Sequence, residues 1–556
     1  MNRILTAAEM FHCDRTEIET NTPSRVLMER ASRACADAVR ALLQSHPLSG
    51  KQILFLCGSG NNGGDGILCA HMLYREGIPA VICPAFRAED SLSPECAYRY
   101  KEALAAGVPM LSPQSFLDAA SDTRTQYGMI VDALFGIGLT REVGGIYADL
   151  IDAANAQADI HHIPTVALDI ASGIFADTGK VSIHTFRAAY TLAINHIKRG
   201  HLLYPGAAYT GALTLLDIGI PDAVLSQSPE DFPVYALTDD DACRLLPRRR
   251  PDSNKGTNGR ILIAAGARNM CGAAYLSALA AYRCGAGLVE IFTCEDNRIP
   301  LHTLLPEAIL TTYDPADPDT ACAMLQTAMR RASAIVIGPG LGTSDTAAAL
   351  VKTVLSASTV PTVLDADALN LSASLPEGWC PRMDKPSSTE GVTLSEEDRA
   401  AKVPLTGKDG AKKIPLPAKH PPFILTPHPG ELSRLTGQPI ADCLSDLIQT
   451  ARQFAVDHDV ILNAKNTRSI ITDGRCAFIN PTGTSALAKG GSGDVLSGIT
   501  ATLAAQGCDP LTAAALAAFL HGRAAEAVSA RMGTRAPLAS EIADALGEVT
   551  ATLDRM

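Results

Sequence analysis

Aromatic side chains are scarce in this 556-residue chain: one Trp, and 5% aromatics overall. That disfavours a core built on large rings and favours closely packed layers rich in Ala and Gly. Paired cysteines are missing as well. The 15 Cys are odd in number and scattered, with no CxxC spacing. A disulfide framework and a structural zinc site are both disfavoured, and buried thiols in a reducing compartment are expected. The amino terminus, MNRILTAAEM, lacks the apolar core of a signal peptide. No run reaches the roughly 18 apolar residues of a membrane span. The expectation is a cytoplasmic protein with no membrane partner. Excess positive charge is absent too. The net charge of −12 and pI near 5.6 argue against broad nucleic-acid or anionic-membrane binding, but leave room for a local phosphate pocket.

What is present is a globular composition, 47% hydrophobic and 19% charged, on a chain too long for one ordinary core. Residues 1–45 read as helix. Short apolar runs then alternate with Gly-rich turns and helical stretches: Ile53–Cys57, Ala80–Cys83, Met129–Leu134, Thr165–Ile170, Tyr190–Ile194 and Leu213–Ile218. Near-continuous apolar strands between helices imply a parallel sheet covered on both faces. Prolines 221, 229, 233 and 247 interrupt the rhythm, and a linker is expected over 223–242. A second α/β series follows, with strands expected at Ile261–Ala265, Leu288–Phe292, Ala334–Ile337, Thr362–Asp365, Phe423–Thr426, Val460–Leu462 and Ser469–Thr472. Ala-rich helices close the chain. The polar, Pro- and Lys-rich stretch at about 378–420 fits neither pattern and reads as a surface insertion.

Three motifs gather in the first half. GSGNNGGDG, 58–66, follows the run KQILFLC; such a turn exposes backbone N–H groups at a helix start, which suits phosphate. The side chains of Asn61, Asn62 and Asp65 can fix a ligand or coordinate a hard cation. Asp132 and Asp169 end their predicted strands, the edge at which open parallel sheets bind ligands. Either Asp alone reads equally well as a helix cap; three motifs at one edge favour a site.

These residues resemble the NAD(P)H-hydrate epimerases, through VLMERA, GNNGGDG, VDALFGIGLTREV, LDIASG and LDIGIP within residues 1–222. The resemblance implies a Rossmann-like domain that binds hydrated NADH or NADPH and a potassium ion. It places substrate at Asn61, Asn62, Gly63, Gly64 and Asp65, at Gly136, Ile137, Gly138, Leu139, Thr140, Arg141 and Glu142, and at Tyr147 and Asp169. It places potassium near Asn62, Asp132 and Ser172. Ala171 stands where the family has Pro, which removes no functional group. The hydrate carries a hydroxyl on a ring carbon next to nitrogen, so epimerisation needs an acid–base group beside it, and Asp169 is the choice.

In the second half, GGSGD, 490–494, opens a predicted helix. Its N–H groups can close on phosphate oxygens, and Asp494 can take a proton from an attacking hydroxyl; a plain Gly-rich turn with an early-helix Asp is the bland alternative. GPGLG (338–342), DADALN (365–370) and TPHPGE (426–431) each follow a predicted strand. Asp365 and Asp367 read as well as helix caps as catalytic groups. Together these motifs resemble the ADP- or ATP-dependent NAD(P)H-hydrate dehydratases, a branch of the ribokinase-like superfamily, over residues 243–556 apart from the insertion. The resemblance implies substrate positions at Ala273, Gly340, His428 and Asp494, nucleotide at Lys465, Asn466, Thr467, Arg468, Ser469 and Gly493, ADP as co-substrate, and Mg²⁺. Asn466 and Ser469 depart from the family's Gly and Thr, which puts the loop's conformation in question. The competing reading is a small-alcohol kinase fused to a ligand-binding domain. A homo-oligomer is compatible with either.

Overall fold

The computed structural model describes residues 1–86, 92–119, 125–221, 224, 232–374 and 423–555. The expected insertion at 378–420 lies outside the described residues. The chain forms two compact units, Met1–Thr238 with Arg475–Pro481, and Asp239–Gly474 with Thr482–Met556.

The first unit is built on six strands, all parallel, in the order Ala80–Pro84, Gln52–Cys57, Tyr127–Ala133, Thr165–Leu168, Tyr190–Ile194, Ala212–Leu216. The four central strands carry almost only buried residues, and two apolar clusters pack against them. Successive connections run first to one side of Gln52–Cys57 and then to the other. The loops after Gln52–Cys57 and Tyr127–Ala133 therefore diverge, and a crevice opens at this switch point.

Four short strands of this unit were not legible as periodic runs. Residues 1–45 are not all helix: Asn2–Leu5 is a strand, followed by helices Ala7–Thr20 and Ser24–Ser45. Asn2–Leu5 pairs parallel with Ile197–Lys198 and antiparallel with Val234–Ala236. Val234–Ala236 in turn pairs parallel with Ala477–Ile479. The stretch expected as a linker thus contains a strand, and helix Asp239–Leu245 begins inside it. Prolines at 229 and 233 stop helices but do not exclude a three-residue strand between them and the helix.

The second unit has eight strands in the order Ile309–Tyr313, Leu288–Cys294, Arg260–Ala264, Ala334–Ile337, Thr362–Leu364, Phe423–Leu425, Ile461–Ala464, Ile470–Thr472. All pairs are parallel except the last. Helices Cys271–Arg283, Ser492–Ala505, Pro510–Met532 and Ala539–Leu553 pack on one another as one group; Pro318–Met329, Asp345–Ala357, Asp367–Ala373 and Pro429–Thr436 belong to a second. Ser492–Ala505 and Pro510–Met532 are mostly Ala, Gly, Ser and Leu, and nearly every residue from Val495 to Ala504 is buried. Small side chains let these helices approach closely. The switch point here lies between Arg260–Ala264 and Ala334–Ile337.

Candidate active sites

In the first unit, the crevice is shaped by close backbone approach. A Cβ on Gly58 would lie 1.9 Å from the Leu134 carbonyl oxygen, and one on Gly63 would lie 1.8 Å from that of Gly58. Only glycine permits these turns to nest. Asp132, the penultimate residue of its strand, is fully buried beneath them. Its carboxylate accepts from the Leu134 N–H (3.1 Å), the Ser172 N–H (2.7 Å) and the Ser172 hydroxyl (2.7 Å). Burial nonetheless pushes Asp132 up to about 6. The Asn62 amide nitrogen donates to the carbonyls of Phe135 (2.8 Å) and Leu168 (3.3 Å), while its Oδ1 is buried without a partner. The Phe135 carbonyl also lies 3.5 Å from the Ser172 hydroxyl.

Asn62 and Ser172 are therefore brought to one backbone carbonyl, and Asp132 joins them through the Ser172 hydroxyl. An orphaned buried amide oxygen beside a carbonyl, a hydroxyl and a carboxylate is a donor set that an oxygen-ligated cation of low charge would satisfy. Among the described residues no group of three or more His, Cys, Asp or Glu is arranged to hold a metal ion. The pocket is of the carbonyl and hydroxyl kind.

Asp169 follows strand Thr165–Leu168 in the left-handed region, φ 63°. Such a backbone state is costly for a non-glycine residue and needs support. Its N–H donates to the Leu192 carbonyl at 2.9 Å. Its Oδ1 accepts from the Ile194 N–H (3.2 Å) and from the Lys198 ammonium, which is 1% exposed. Lys198 also donates to the Ile194 carbonyl at 2.9 Å. His201 Nδ1 accepts the Lys198 N–H at 3.1 Å, and its Nε2 lies 2.9 Å from the Asp169 carbonyl oxygen. Those partners require Nε2 to carry the proton. Burial, then the Lys198 charge, push His201 down to about 4, so it stays neutral. The other Asp169 oxygen, Oδ2, is 3.8 Å from where a Cβ on Gly136 would stand.

The remaining expected positions differ in setting. Thr140, Arg141 and Glu142 are exposed at the rim. Glu142 is tied down by the Ser182 hydroxyl at 2.7 Å. Ile137, Leu139 and Tyr147 pack on the apolar cluster, with the Tyr147 ring 4.7 Å from Phe135. Asp65 is buried, accepts the Ser32 hydroxyl at 3.2 Å, and burial raises it well above the usual carboxylate range. Lys198 and His201 were missed from sequence. A signal existed: NHIKRG follows strand Tyr190–Ile194 at the edge that carries Asp132 and Asp169.

In the second unit, helix Ser492–Ala505 starts after Gly491 at φ 93°, with Asp494 in its first turn. Burial, then the charge of Asp365, raise Asp494 to about 7, against the pull of Lys465. Ser492 Oγ is buried in the same turn without a partner. Asp365 accepts from the Lys465 ammonium (2.9 Å) and the Ser497 hydroxyl (2.7 Å). Burial opposes its ionisation, yet Lys465, Ser497 and Thr426 together bring it below the usual carboxylate range. A Cβ on Gly493 would stand 3.2 Å from Lys465 Nζ and 3.4 Å from Asp365 Oδ2. Gly493, Asp494, Asp365, Ser497 and Lys465 are thus one constellation.

Gly340 adopts φ 55°, and a Cβ there would meet the Ala273 Cβ at 2.9 Å, so these two substrate candidates are neighbours. The Gly342 N–H donates to Asp367 Oδ2 at 2.8 Å, which fastens the GPGLG turn to the start of helix Asp367–Ala373. His428 caps helix Pro429–Thr436: its Nδ1 accepts the Gly430 N–H at 3.0 Å, and its own N–H donates to Glu431 at 2.8 Å. Burial, Lys465 and Arg434 lower its pKa and keep the ring neutral. The Pro427 carbonyl accepts the Lys465 N–H at 2.8 Å, linking that turn to the expected nucleotide segment. Residues 465–469 form the connection between antiparallel strands Ile461–Ala464 and Ile470–Thr472. Asn466 does not take a left-handed φ, and its Oδ1 accepts the Thr467 N–H at 2.9 Å. An Asn is accommodated there without strain.

Comparison with known proteins matches two families. Residues 24–200 match the YjeF-related protein N-terminus, and residues 261–389 and 407–547 match NAD(P)H-hydrate dehydratase. The bifunctional NAD(P)H-hydrate repair enzyme Nnr of Moorella thermoacetica is 33% identical over 99% of this chain and 97% of its own length. Its Escherichia coli namesake is 30% identical over 94% and 89%. Among solved structures, the ADP/ATP-dependent NAD(P)H-hydrate dehydratase of Bacillus subtilis, co-crystallised with ATP/Mg²⁺, is 29% identical over 58% of this chain and 99% of its own, with a TM-score of 0.45.

Proposed function

The chain belongs to the bifunctional NAD(P)H-hydrate repair enzymes, and from that premise we propose which of its residues perform the two reactions. The enzyme interconverts the R and S hydrates of NADH and NADPH, and dehydrates the S form at the expense of ADP, giving the reduced cofactor, AMP and phosphate. The observation that carries the assignment is common to both units: at the strand ends stands a carboxylate bonded to a lysine, Asp169 with the buried Lys198 and Asp365 with the half-buried Lys465.

In the epimerase unit, substrate lies over Asn61–Asp65 and residues 136–142, with Tyr147 and Phe135 as an apolar side. Asp169 is the acid–base group at the ring hydroxyl, its free Oδ2 facing the gap left by Gly136. Lys198 and His201 hold it in place from behind. Potassium would be held by Asn62, Asp132 and Ser172, where it would supply charge to hold the loops and a substrate oxygen.

In the dehydratase unit, Asp494 takes the proton of the hydrate hydroxyl. That oxygen attacks the β-phosphorus of ADP, and AMP leaves. The N–H groups of Gly490, Gly491 and Gly493 and the unpartnered Ser492 hydroxyl would meet the charge on the transferred group. The ring nitrogen's electron pair then expels phosphate, and loss of a proton from the adjacent carbon restores the reduced nicotinamide. Lys465–Ser469 and Gly493 hold the nucleotide, and Ala273, Gly340 and His428 the hydrate. Mg²⁺ would arrive on the nucleotide phosphates, which is how that ion is usually carried, and would neutralise their charge. No helix among the described residues is long and apolar enough to cross a membrane; the cysteines among them are free thiols, which fits the reducing, cytoplasmic setting proposed for the chain.

The test is to incubate the purified chain with mixed R and S hydrates, with and without ADP. With ADP, both hydrates should vanish, with equal AMP and phosphate and full return of nicotinamide absorbance. If the R form survives, the epimerase assignment fails. A lasting phosphorylated organic product would move the second unit to the small-alcohol kinases.

A further inference from the structure

The amino-terminal helix runs along the mouth of the first site. Strand Asn2–Leu5 lies parallel to Ile197–Lys198, with Leu5 opposite Lys198, so the start of the chain is fastened to the segment that carries the buried lysine. Thr6 closes a capping box with Glu9 at the start of helix Ala7–Thr20, and the Ala7 N–H donates to Asp177 at 2.6 Å. These bonds fix the direction in which the helix leaves the strand. Ala7, Phe11 and Asp14 follow the three-to-four-residue spacing of one helical stripe. Ala7 packs on the cluster that holds Phe135 and Tyr147. One turn on, the Phe11 ring lies 3.7 Å from where a Cβ on Gly138 would stand, yet is 53% exposed. A further turn on, Asp14 follows on the same stripe, half-buried and near enough to Lys198 and Asp169 to feel both charges.

We propose that Asp14 is a second acid–base group of the epimerase site, donating the proton with which the ring hydroxyl leaves, while Phe11 forms an apolar wall beside the ring. The proposal rests on the epimerase reading above. Asp169 already accepts hydrogen bonds from an ammonium and an N–H at Oδ1, which leaves Oδ2 to receive a proton from incoming water. Asp14 is different: burial pushes it up to about 6, Asp169 adds to the rise, and Lys198 opposes it. Asp65, from helix Asn61–Arg75, also faces this group. Three carboxyls around one ammonium cannot all ionise cheaply, so protons remain in the pocket near neutral pH.

The step balances. The Asp14 proton passes to the hydroxyl oxygen, the carbon–oxygen bond breaks, and the ring nitrogen's electron pair forms a carbon–nitrogen double bond as water departs. Water adds to the other face of that cation and gives a proton to Asp169. The proton returns from Asp169 to Asp14 through water in the pocket, and nothing is oxidised or reduced.

The experiment follows interconversion of separated R and S hydrates by the full chain between pH 5 and 9, after subtracting the enzyme-free rate. For wild type, kcat/KM should fall about tenfold per pH unit above the Asp14 titration. Asp14→Asn should lose roughly 10²-fold and lose that alkaline limb, while ADP-dependent dehydration of the S hydrate is unchanged. Asp14→Glu should restore part of the rate and keep a shifted limb. An Asn variant with wild-type rate and limb would overturn the proposal. So would a Glu variant as inactive as the Asn variant in a protein whose thermal melt is unaltered. Should the Asn variant not fold, the Glu profile decides: an unmoved limb overturns the proposal. Wild type that fails to interconvert the hydrates would overturn the epimerase reading instead.

Discussion

Asp494→Asn should make the second unit more stable while abolishing its chemistry. Asp494 is raised from 3.8 to about 7, chiefly by burial and then by the neighbouring Asp365 charge. In the unfolded chain the same carboxyl titrates near 3.8. Between these values the native state binds the extra proton, so stability falls as pH rises from about 4 to about 7 and is level above that. A rise of about three units corresponds to on the order of 4 kcal/mol. That is a ceiling, because Asp494 is only partly buried and solvent screens part of the charge. Asn keeps the shape and carries no charge. The variant should therefore match wild type near pH 4 and melt several degrees higher at pH 8, at roughly 2–4 °C per kcal/mol for a domain of this size. The assay is urea or thermal unfolding of the ligand-free full chain at pH 4, 6 and 8. In parallel, kcat/KM for dehydration by wild type should fall tenfold per unit below about 7, since a base must be ionised, and Asp494→Asn should release almost no AMP or phosphate. A stability gap that does not change with pH, or an Asn variant less stable at pH 8, would refute the reasoning.

Asp169→Asn should slow interconversion of the hydrates by roughly 10²-fold or more and leave dehydration of the S form intact; chiral separation of the products checks both. Replacing potassium with choline should slow interconversion and lower the melting point of the first unit, with no effect on dehydration. In Asp132→Asn that dependence on potassium should disappear from the melting curve. A fragment ending at residue 222 omits strand Val234–Ala236, which pairs with Asn2–Leu5. It should be less stable than a fragment ending at 238, by an amount that circular-dichroism melts can rank.

The parallel sheets were legible because their strands are buried on both faces and read as unbroken apolar runs: Tyr190–Ile194 and Ala334–Ile337 match residue for residue. Edge and connector strands were not. Asn2–Leu5, Ile197–Lys198 and Val234–Ala236 are two to four residues long, too short to show a period, and owe their existence to long-range pairing. Arg475–Pro481 was hidden for the same reason: nothing local tells that a strand near the end of the chain completes a unit that begins at residue 1. At the sites, motif residues that meet the backbone were readable, since Gly58, Gly63 and Gly340 stand where a Cβ cannot. Partners supplied by other elements were not. Lys198 and Asp14 lie 29 and 155 residues from Asp169 in sequence, and only the fold brings them to it.

The two units arrive at one electrostatic arrangement from different parts. In the first, Lys198 pairs with Asp169, and Asp14 nearby is raised to about 6. In the second, Lys465 pairs with Asp365, and Asp494 nearby is raised to about 7. The cause is shared. A lysine with little access to solvent neutralises the carboxylate it touches, so it offers a second carboxyl only partial compensation, while the first carboxylate still repels a new negative charge. The second group is left poised near neutrality, where a carboxyl can both give and take a proton. Removing the lysine charge should push the second carboxyl higher in each unit. In Lys465→Met the acid limb of the dehydration profile should therefore move to higher pH, apart from any loss of nucleotide affinity, because Lys465 now lowers Asp494. A limb that stays in place, measured at saturating ADP, would mean that burial alone sets the Asp494 titration and that the ion pair serves only to hold the fold.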